Sequence, residues 1–376
     1  MRKLVLLFLI ATAAWATCPD SPSGYGYCYP LTMESDKVTG AADLTNYIVR
    51  FHKTYAWLAT TANGGVVQQD DGDDIIFYQG GAQLAHQRYS YNPTTGAYGA
   101  LIKIPVLDYN DDGLIYVYLG NASASDTSTT NVYDANYVGL YHLEEARSTD
   151  AGNYKDSVKT NHGTLTDANA NTVQDTGKFG YAVNFSGDNA DVISAGDPGT
   201  VMNGATLTII AWLNGDDYGS TYPRVLARSG TPIQFAASVA SDTRAGFTVD
   251  TVTTDFDTAV PLTAISATVT HHVVWRYDGS AITVFTDGAI DGTDATPEGV
   301  LANGTGIIQI GNRADTIRPW DGILDEIEYH NTHRSDDWLY TRYNIDNDQA
   351  GFWTAGAQDT VGGGAAARRY APVVMD

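Results

Sequence analysis

The sequence predicts an all-β protein made of two β-sandwich, jelly-roll domains, and three observations predict it. The second half of the 376-residue chain alternates short strand patterns with Gly/Asp turns, between anchor segments at 177–187 and 321–329. The first half carries its own set of strand patterns, and the total length exceeds what one hydrophobic core usually takes. Between the halves lies a polar stretch, 121–131, rich in Ser, Thr, Asn and Asp, which reads as a seam.

In chain order, Met1-Arg2-Lys3 is positively charged, 4–13 is an apolar run short for a bilayer, and Ala14-Trp15-Ala16 offers the small residues of a cleavage site. Residues 1–16 therefore read as a signal peptide cleaved near Ala16. The protein is expected to be secreted, with a mature chain starting at Thr17 or Cys18. A lipid anchor on Cys18 is the rival reading, but Thr17 stands where such a signal wants Gly, Ala or Ser. The two cysteines, Cys18 and Cys28, are expected to form a disulfide across a turn-rich loop, worth on the order of 2 to 3 kcal/mol for so short a closure. Nothing later resembles a membrane span. With 44 acidic against 21 basic residues the formal charge is −23, which excludes nucleic acid and anionic lipid as electrostatic partners and leaves carboxylates for divalent cations. The 24 tyrosines suit β-rich surfaces and contacts with sugars or proteins.

The first domain is expected over 17–130, with strands at 47–51, 75–78, 84–91, 99–104 and 114–119 divided by Asp/Gly or Asn-Pro turns. Leu101, Lys103 and Pro105 alternate with Ile102 and Ile104, which implies one buried face and one wet face. On the matches Leu44-Thr45-Asn46-Tyr47, Asp73-Asp74-Ile75-Ile76-Phe77, Lys103-Ile104-Pro105 and Tyr116-Val117-Tyr118-Leu119-Gly120-Asn121, residues 39–136 resemble an uncharacterised bacterial and archaeal domain family. Members commonly precede laminin-G-like domains, and the resemblance implies no activity.

The second domain is expected over 131–350, with strands at 205–213, 224–229, 246–250, 271–278, 281–287, 305–311 and 322–329. Gly177-Lys178-Phe179-Gly180, Thr208-Ile209-Ile210-Ala211-Trp212, His272-Val273-Val274-Trp275, Val284-Phe285-Thr286-Asp287-Gly288, Ile310-Gly311-Asn312 and Asp321-Gly322-Ile323-Leu324-Asp325-Glu326 follow in the order of a concanavalin A-like, laminin-G-like jelly roll, which this block resembles. A short helix is predicted at 335–343, capped by Ser335, with Asp336 and Asp337 complementing its dipole and Trp338, Leu339 and Tyr343 lying on the sandwich. Residues 351–376 read as a flexible Gly/Ala linker followed by a strand-capable tail from Arg368 to Asp376. That tail is either disordered or adds a strand to a neighbouring subunit, making a homo-oligomer or polymer.

For chemistry, the resemblance implies a structural calcium held by Glu144, Asp156 and Asp325, while Asp325 equally suits a backbone-bonding role beside a turn. Asp108-Tyr109-Asn110-Asp111-Asp112-Gly113 opens like a calcium loop, but its closing acid falls on Leu119, so a hairpin turn is expected. The run 70–74 reads as a solvated loop. Glu326 and Glu328 stand at i and i+2, on one strand face, as a catalytic carboxylate pair would. Glycosidases on related jelly rolls carry Glu-x-Asp-x-x-Glu, whereas the position four beyond Glu326 is His330, so the pair otherwise reads as a wet strand face. A sugar site needs a stacking aromatic beside polar groups. Trp320 and Asp321 with Asn312 and Arg313 offer that mix, as do Asp216, Asp217 and Tyr218 with Tyr222 and Arg224; each group equally suits loop packing, and for Trp320 packing is the favoured reading. The expectation is a secreted, non-catalytic, lectin-like carbohydrate-binding or adhesion protein that self-assembles at an extracellular surface. A purely structural homopolymer subunit and a glycoside hydrolase using Glu326 are the alternatives.

Overall fold

The computed structural model describes residues 18–19, 22–218, 222–228, 233–240, 243–252, 257–259 and 263–361. The segment read as a signal peptide and the tail from Arg368 to Asp376 lie outside the described residues, as does the linker from 362 onward. The disulfide between Cys18 and Cys28 is present.

Two sandwiches account for the strands. In the first, one sheet runs Trp353–Ala355, Tyr27–Met33, Gly113–Leu119, Ile76–Gln79, Ala82–Gln83 in spatial order, with Asp359–Thr360 also paired to Tyr27–Met33. Its partner sheet has the order Leu44–Thr54, Ala97–Leu107, His86–Asn92. Alternating apolar residues from both, among them Leu31, Phe51, Phe77, Ile102, Ile104 and Val117, fill the space between. The expected inward face of Ala97–Leu107 is therefore found. The opposite face is wet only in part: Pro105 is exposed and Lys103 half-buried, whereas Leu101 is buried against Tyr133, Tyr137 and Leu140 at the foot of the second sandwich.

The segment expected to start a flexible linker at 351 is instead part of the first sandwich as far as Val361. Gln349–Phe352 is a helical turn, and the following strands pair antiparallel with Tyr27–Met33, Trp353 opposite Met33 and Thr360 opposite Tyr27. The cause is apolar burial. Phe352 and Trp353 sit in the first core with Ile345, and the Trp353 indole Nε1 donates to the Arg50 carbonyl at 2.8 Å. The second sandwich is thus an insertion within the first.

That second sandwich packs an eight-stranded sheet on a seven-stranded one. The former runs Val173–Thr176, Tyr181–Ser186, Asp321–His330, Leu207–Gly215, His271–Tyr277, Ile282–Thr286, Ala289–Asp294, with Tyr137–Tyr141 also on Asp321–His330. The latter runs Asp257–Ala259, Ala245–Val249, Phe235–Val239, Arg224–Arg228, Ile308–Ile310, Val192–Ser194, Thr164–Thr166. The two anchor segments of the sequence are neighbours, Phe185 opposite Gly322, and Phe185, Trp275, Trp320 and Tyr329 share one core.

One irregularity decides the site. Ile210 faces Glu328 but Trp212 faces Asp325, so Asp321–His330 carries an extra residue, and Glu326 has φ +51°. Leu324, Ile327 and Tyr329 point into the core. The bulge leaves Asp325, Glu326, Glu328 and His330 on the outer face, toward the first sandwich. The helix Asp336–Asn347 lies there too, capped as expected by Ser335, whose Oγ accepts from Trp338 N at 3.3 Å. It runs four residues past the expected end and touches both sandwiches: Leu339 packs on Ile210, Val274 and Phe285, and Trp338 on Tyr47.

Replacing Trp353 by Ala is expected to lower stability by about 3–5 kcal/mol, the usual cost of emptying a large core site. Denaturant unfolding measures it, and an unchanged midpoint would mean that 351–361 is peripheral.

Candidate functional site between the sandwiches

Sheet Leu44–Thr54, Ala97–Leu107, His86–Asn92 faces the bulged strand across a layer of charge. Arg50, fully buried, donates through Nη2 to Glu326 Oε2 at 2.6 Å, and its Nε lies 3.4 Å from Asp346 Oδ1. Asp346 Oδ2 is 2.8 Å from Arg342 Nε, and Arg342 Nη2 is 3.4 Å from Glu328. The Arg50 guanidinium also stacks 4.2 Å from the Phe179 ring. Glu326 and Glu328 do share a strand face, but that face is enclosed: they are 2% and 1% exposed. The wet-face expectation fails because the first sandwich and the Asp336–Asn347 helix cover the strand. Burial alone would raise the Glu326 carboxyl, yet Arg50 and His142 hold it below the usual carboxylate range.

Beside this layer the sandwiches leave a cleft of about 620 Å³. The first sandwich lines it with His52, Arg88, Tyr89, Tyr91 and Asn92, the second with His142, Glu144, Glu145, Lys155, Ser157 and Tyr181. Local irregularities aim these groups. Tyr89 is the extra residue of a bulge between Arg88 and Ser90, and its ring occupies the space a Cβ on Gly99 would need. It stacks on His142 with centroids 4.3 Å apart, and its hydroxyl is 3.1 Å from His52 Nδ1. His142 Nδ1 is 2.8 Å from Glu326 Oε1, and the next residue, Leu143, has φ +61°. Glu144 lies against Gly180, whose φ of +76° and missing side chain admit the carboxyl.

Burial mutes the charge of two cleft groups, Glu144 and His52, while Arg88, Glu145 and Lys155 also line the walls. Burial, then the Glu326 charge, push the Glu144 carboxyl up to about 8, so at neutral pH it holds a proton and can donate a hydrogen bond. Burial and Arg50 push His52 down to about 4, leaving a neutral imidazole. Three enclosed atoms here lack hydrogen-bond partners: His142 Nε2, Glu144 Oε1 and Glu145 Oε2. Tyr181 stands 55% exposed at the rim. Aromatic faces with neutral donors and acceptors suit a polyhydroxylated ligand.

The nine residues read as sugar contacts gather at one end of the second sandwich, where the segments 187–191, 216–218, 222–224 and 312–321 meet. Asp216 N donates to Asp321 O at 3.0 Å, and Arg224 N to Arg318 O at 3.0 Å. Their side chains divide. Trp320 is fully buried and tilts against Tyr218, itself 2% exposed, so both are core. Asn312 is also enclosed; its Nδ2 donates to Asn189 O and Asp191 O, and its Oδ1 accepts from Arg313 N and Arg318 N. Arg224 is nearly buried. Asp216, Asp217, Tyr222, Arg313 and Asp321 reach the surface.

The three acids assigned to calcium have separate duties. Asp325 Oδ2 accepts from Lys178 N and Phe179 N at 2.7 and 3.1 Å, holding the turn before Tyr181–Ser186. Asp156 accepts from Leu140 N, Val158 N and Asn161 N. Glu144 lines the cleft. Among the described residues no three His, Cys, Asp or Glu side chains are grouped to hold a metal ion. At 108–113, Asp108 Oδ1 accepts from Asn110 N and Asp111 N, an Asx turn, but the expected hairpin is not formed: Ala97–Leu107 and Gly113–Leu119 belong to opposite sheets, and the turn carries the chain from one to the other. The run 70–74 is not wholly solvated: Asp74 is buried, and Oδ2 accepts from Gln68 N, Gly120 N and Asn121 N.

Sequence reasoning missed His52, Tyr89, Tyr91, Glu145, Lys155 and Tyr181, and saw Glu144 only as a metal ligand. One signal was available. The spacing Leu324, Ile327, Tyr329 breaks a two-residue period, which marks a bulge and turns two adjacent acids to one face.

Residues 186–339 match the family model described as the concanavalin A-like lectin/glucanases superfamily. The search of curated proteins found no match. Among solved structures, domain 4 of the GH43 extracellular arabinanase AbnA from Geobacillus stearothermophilus, in complex with arabinotriose, is 15% identical with a TM-score of 0.43, over 55% of this chain and 98% of that one. The binding domain of Paraclostridial Mosquitocidal Protein 1 is 11% identical with a TM-score of 0.44, over 55% of this chain, which spans about half (52%) of that one. The Ruminococcus gnavus IT-sialidase CBM40, bound to alpha2,3 sialyllactose, is 19% identical with a TM-score of 0.33, over 38% of this chain and 83% of that one.

Two outcomes test the geometry. Arg50→Ala strands Glu326 without its guanidinium and leaves Asp346 with Arg342 alone, and it is expected to cost about 3–5 kcal/mol of stability in denaturant unfolding. Glu144 has a folded pKa above its unfolded value, so the native state holds the extra proton and stability falls as pH rises from about 4.5 to about 8. Glu144→Gln should therefore melt like the parent near pH 4 and progressively higher than the parent toward pH 9.

Proposed function

From a second sandwich whose residues 186–339 match the family model of the concanavalin A-like lectin/glucanases superfamily, we propose that the chain is a secreted, non-catalytic glycan-binding protein whose saccharide site is the cleft between the sandwiches. The observation that carries this reading is the cleft's composition: tyrosine rings beside a protonated carboxyl, neutral imidazole and amide, with three enclosed polar atoms lacking partners. A pyranose presents an apolar C–H face to an aromatic ring and hydroxyls to such groups. Its many hydroxyls both donate and accept, which matches a wall where Glu144 donates and Glu145 accepts.

Support for the non-catalytic part comes from the two strand acids. Glu326 and Glu328 are committed to Arg50, His142 and Arg342 in an enclosed layer, and neither lines the cleft. Secretion is supported by the disulfide. No helix among the described residues is long and apolar enough to cross a membrane.

A glycan array read with and without calcium, followed by titration calorimetry, tests the proposal. The parent should bind a neutral oligosaccharide, and Tyr181→Ala should weaken it roughly tenfold, or about 1.4 kcal/mol. Its melting temperature should hold, since the side chain is exposed. A silent array under both conditions, or unchanged affinity in Tyr181→Ala, overturns the cleft as the site.

A further inference from the structure

A second site stands at the far loops of the second sandwich, where an enclosed cation has no ion-pair partner among the described residues. Arg224 opens the strand Arg224–Arg228 beside the 312–320 loop. Its side chain is 8% exposed and its Nε is enclosed with no hydrogen-bond partner. No acid among the described residues is in ion-pair contact with it; Asp315, the acid that opposes its neighbours' repulsion, is forked onto Arg313 instead, with Nε 2.6 Å from Oδ1. The Arg318 guanidinium lies 6.0 Å from the Tyr222 ring centroid. The charges of Arg313 and Arg318 both bear on Arg224, and Asp315 is the acid that offsets them there.

This arrangement is costly as it stands. Burial first, then Arg313 and Arg318, push Arg224 down to about 10. An enclosed charge is kept where something compensates it. The chain has no shortage of acids, at 44 against 21 basic residues, yet those at this end crowd one another. Burial and the charges of Asp216, Asp217 and Asp188 push Asp321 up, and no arginine relieves it. The end of the sandwich is divided into an acidic pole and a basic pole.

We propose that Arg224, backed by Arg313 and Arg318 and edged by the Tyr222 ring, forms an anion subsite that takes the carboxylate or sulfate group of an acidic glycan. The guanidinium fork matches two oxygens of either group. Tyr222, 37% exposed, offers a ring face to the sugar that carries it. A net charge of −23 repels extended anionic surfaces such as nucleic acid or a membrane. The ligand must therefore present its charge singly on a largely neutral frame. This subsite does not depend on the cleft reading.

Calorimetry decides it, with the full chain titrated by a galacturonate oligosaccharide, a sulfated galactose oligosaccharide and the neutral galactose counterpart, at low and at physiological salt. The parent should bind one of the charged probes more tightly than the neutral one, and more weakly as salt rises. Arg224→Gln should lose about tenfold or more of that affinity, while Tyr181→Ala keeps it. Which charged probe binds distinguishes carboxylate from sulfate. Equal binding of neutral and charged probes, no binding of either charged probe, or full affinity in Arg224→Gln overturns the subsite. A stability arm guards against a hidden structural role: Arg224→Met should melt at or above the parent temperature, because it removes an uncompensated buried charge. A clear fall in melting temperature would show that the arginine serves the fold and would also overturn the proposal.

Discussion

The structure depends on how one cation, the Arg50 guanidinium, is kept out of water. Enclosed between two sandwiches, it needs anions from more than one direction, and it finds Glu326 on the second sandwich and Asp346 on the connecting helix. Each of those acids is shared, Glu326 with His142 and Asp346 with Arg342, and Arg342 reaches Glu328. The resulting chain of alternating charge crosses from one sandwich to the other. Hydrophobic contact would allow the sandwiches to slide; alternating charges at hydrogen-bond distance tolerate only one register. The apolar contacts of Ile48, Leu101, Tyr137 and Leu140 surround this layer and exclude solvent from it.

Backbone strain sits at the same place. Glu326 and Leu143 are non-glycine residues in the left-handed region, and the side chains of Glu326 and of His142, which precedes Leu143, meet each other. Each such residue costs on the order of 1–3 kcal/mol and persists only when its surroundings demand it. Here the demand is the match between two carboxylates and the charges opposite. The cleft inherits the result, because the elements that fix His142 and Tyr89 in the polar layer also present them to the open space beside it.

Much of the fold was legible in the sequence. Turn residues bounded Ile282–Thr286 and His271–Tyr277 almost to the residue, since Asp287-Gly288 and Asp278-Gly279 are strong stops. Phe235–Val239 was not read, because Phe-Ala-Ala-Ser-Val is buried throughout and shows no alternation. Tyr27–Met33 was overlooked behind the cysteine loop, and with it the partner that makes strands of 353–360. The expected sugar contacts came together in space, and Trp320 is core, the packing role favoured for it over stacking; Tyr218 is core as well, since an aromatic in a loop pattern cannot be told from one that plugs the end of a sandwich. The cleft was beyond reach for a different reason. Its two walls belong to separate domains, and no local pattern says which faces of two sandwiches will meet.

The insertion of one sandwich into the other sets an order of assembly. A ribosome delivers Tyr27–Met33 early, but the strands that close its edge arrive only after the whole second sandwich has emerged. The inserted domain, whose core uses its own strands alone, is complete while its host still waits with an open sheet edge. Until the last strand docks, that nascent edge is a vacancy any extended peptide can fill.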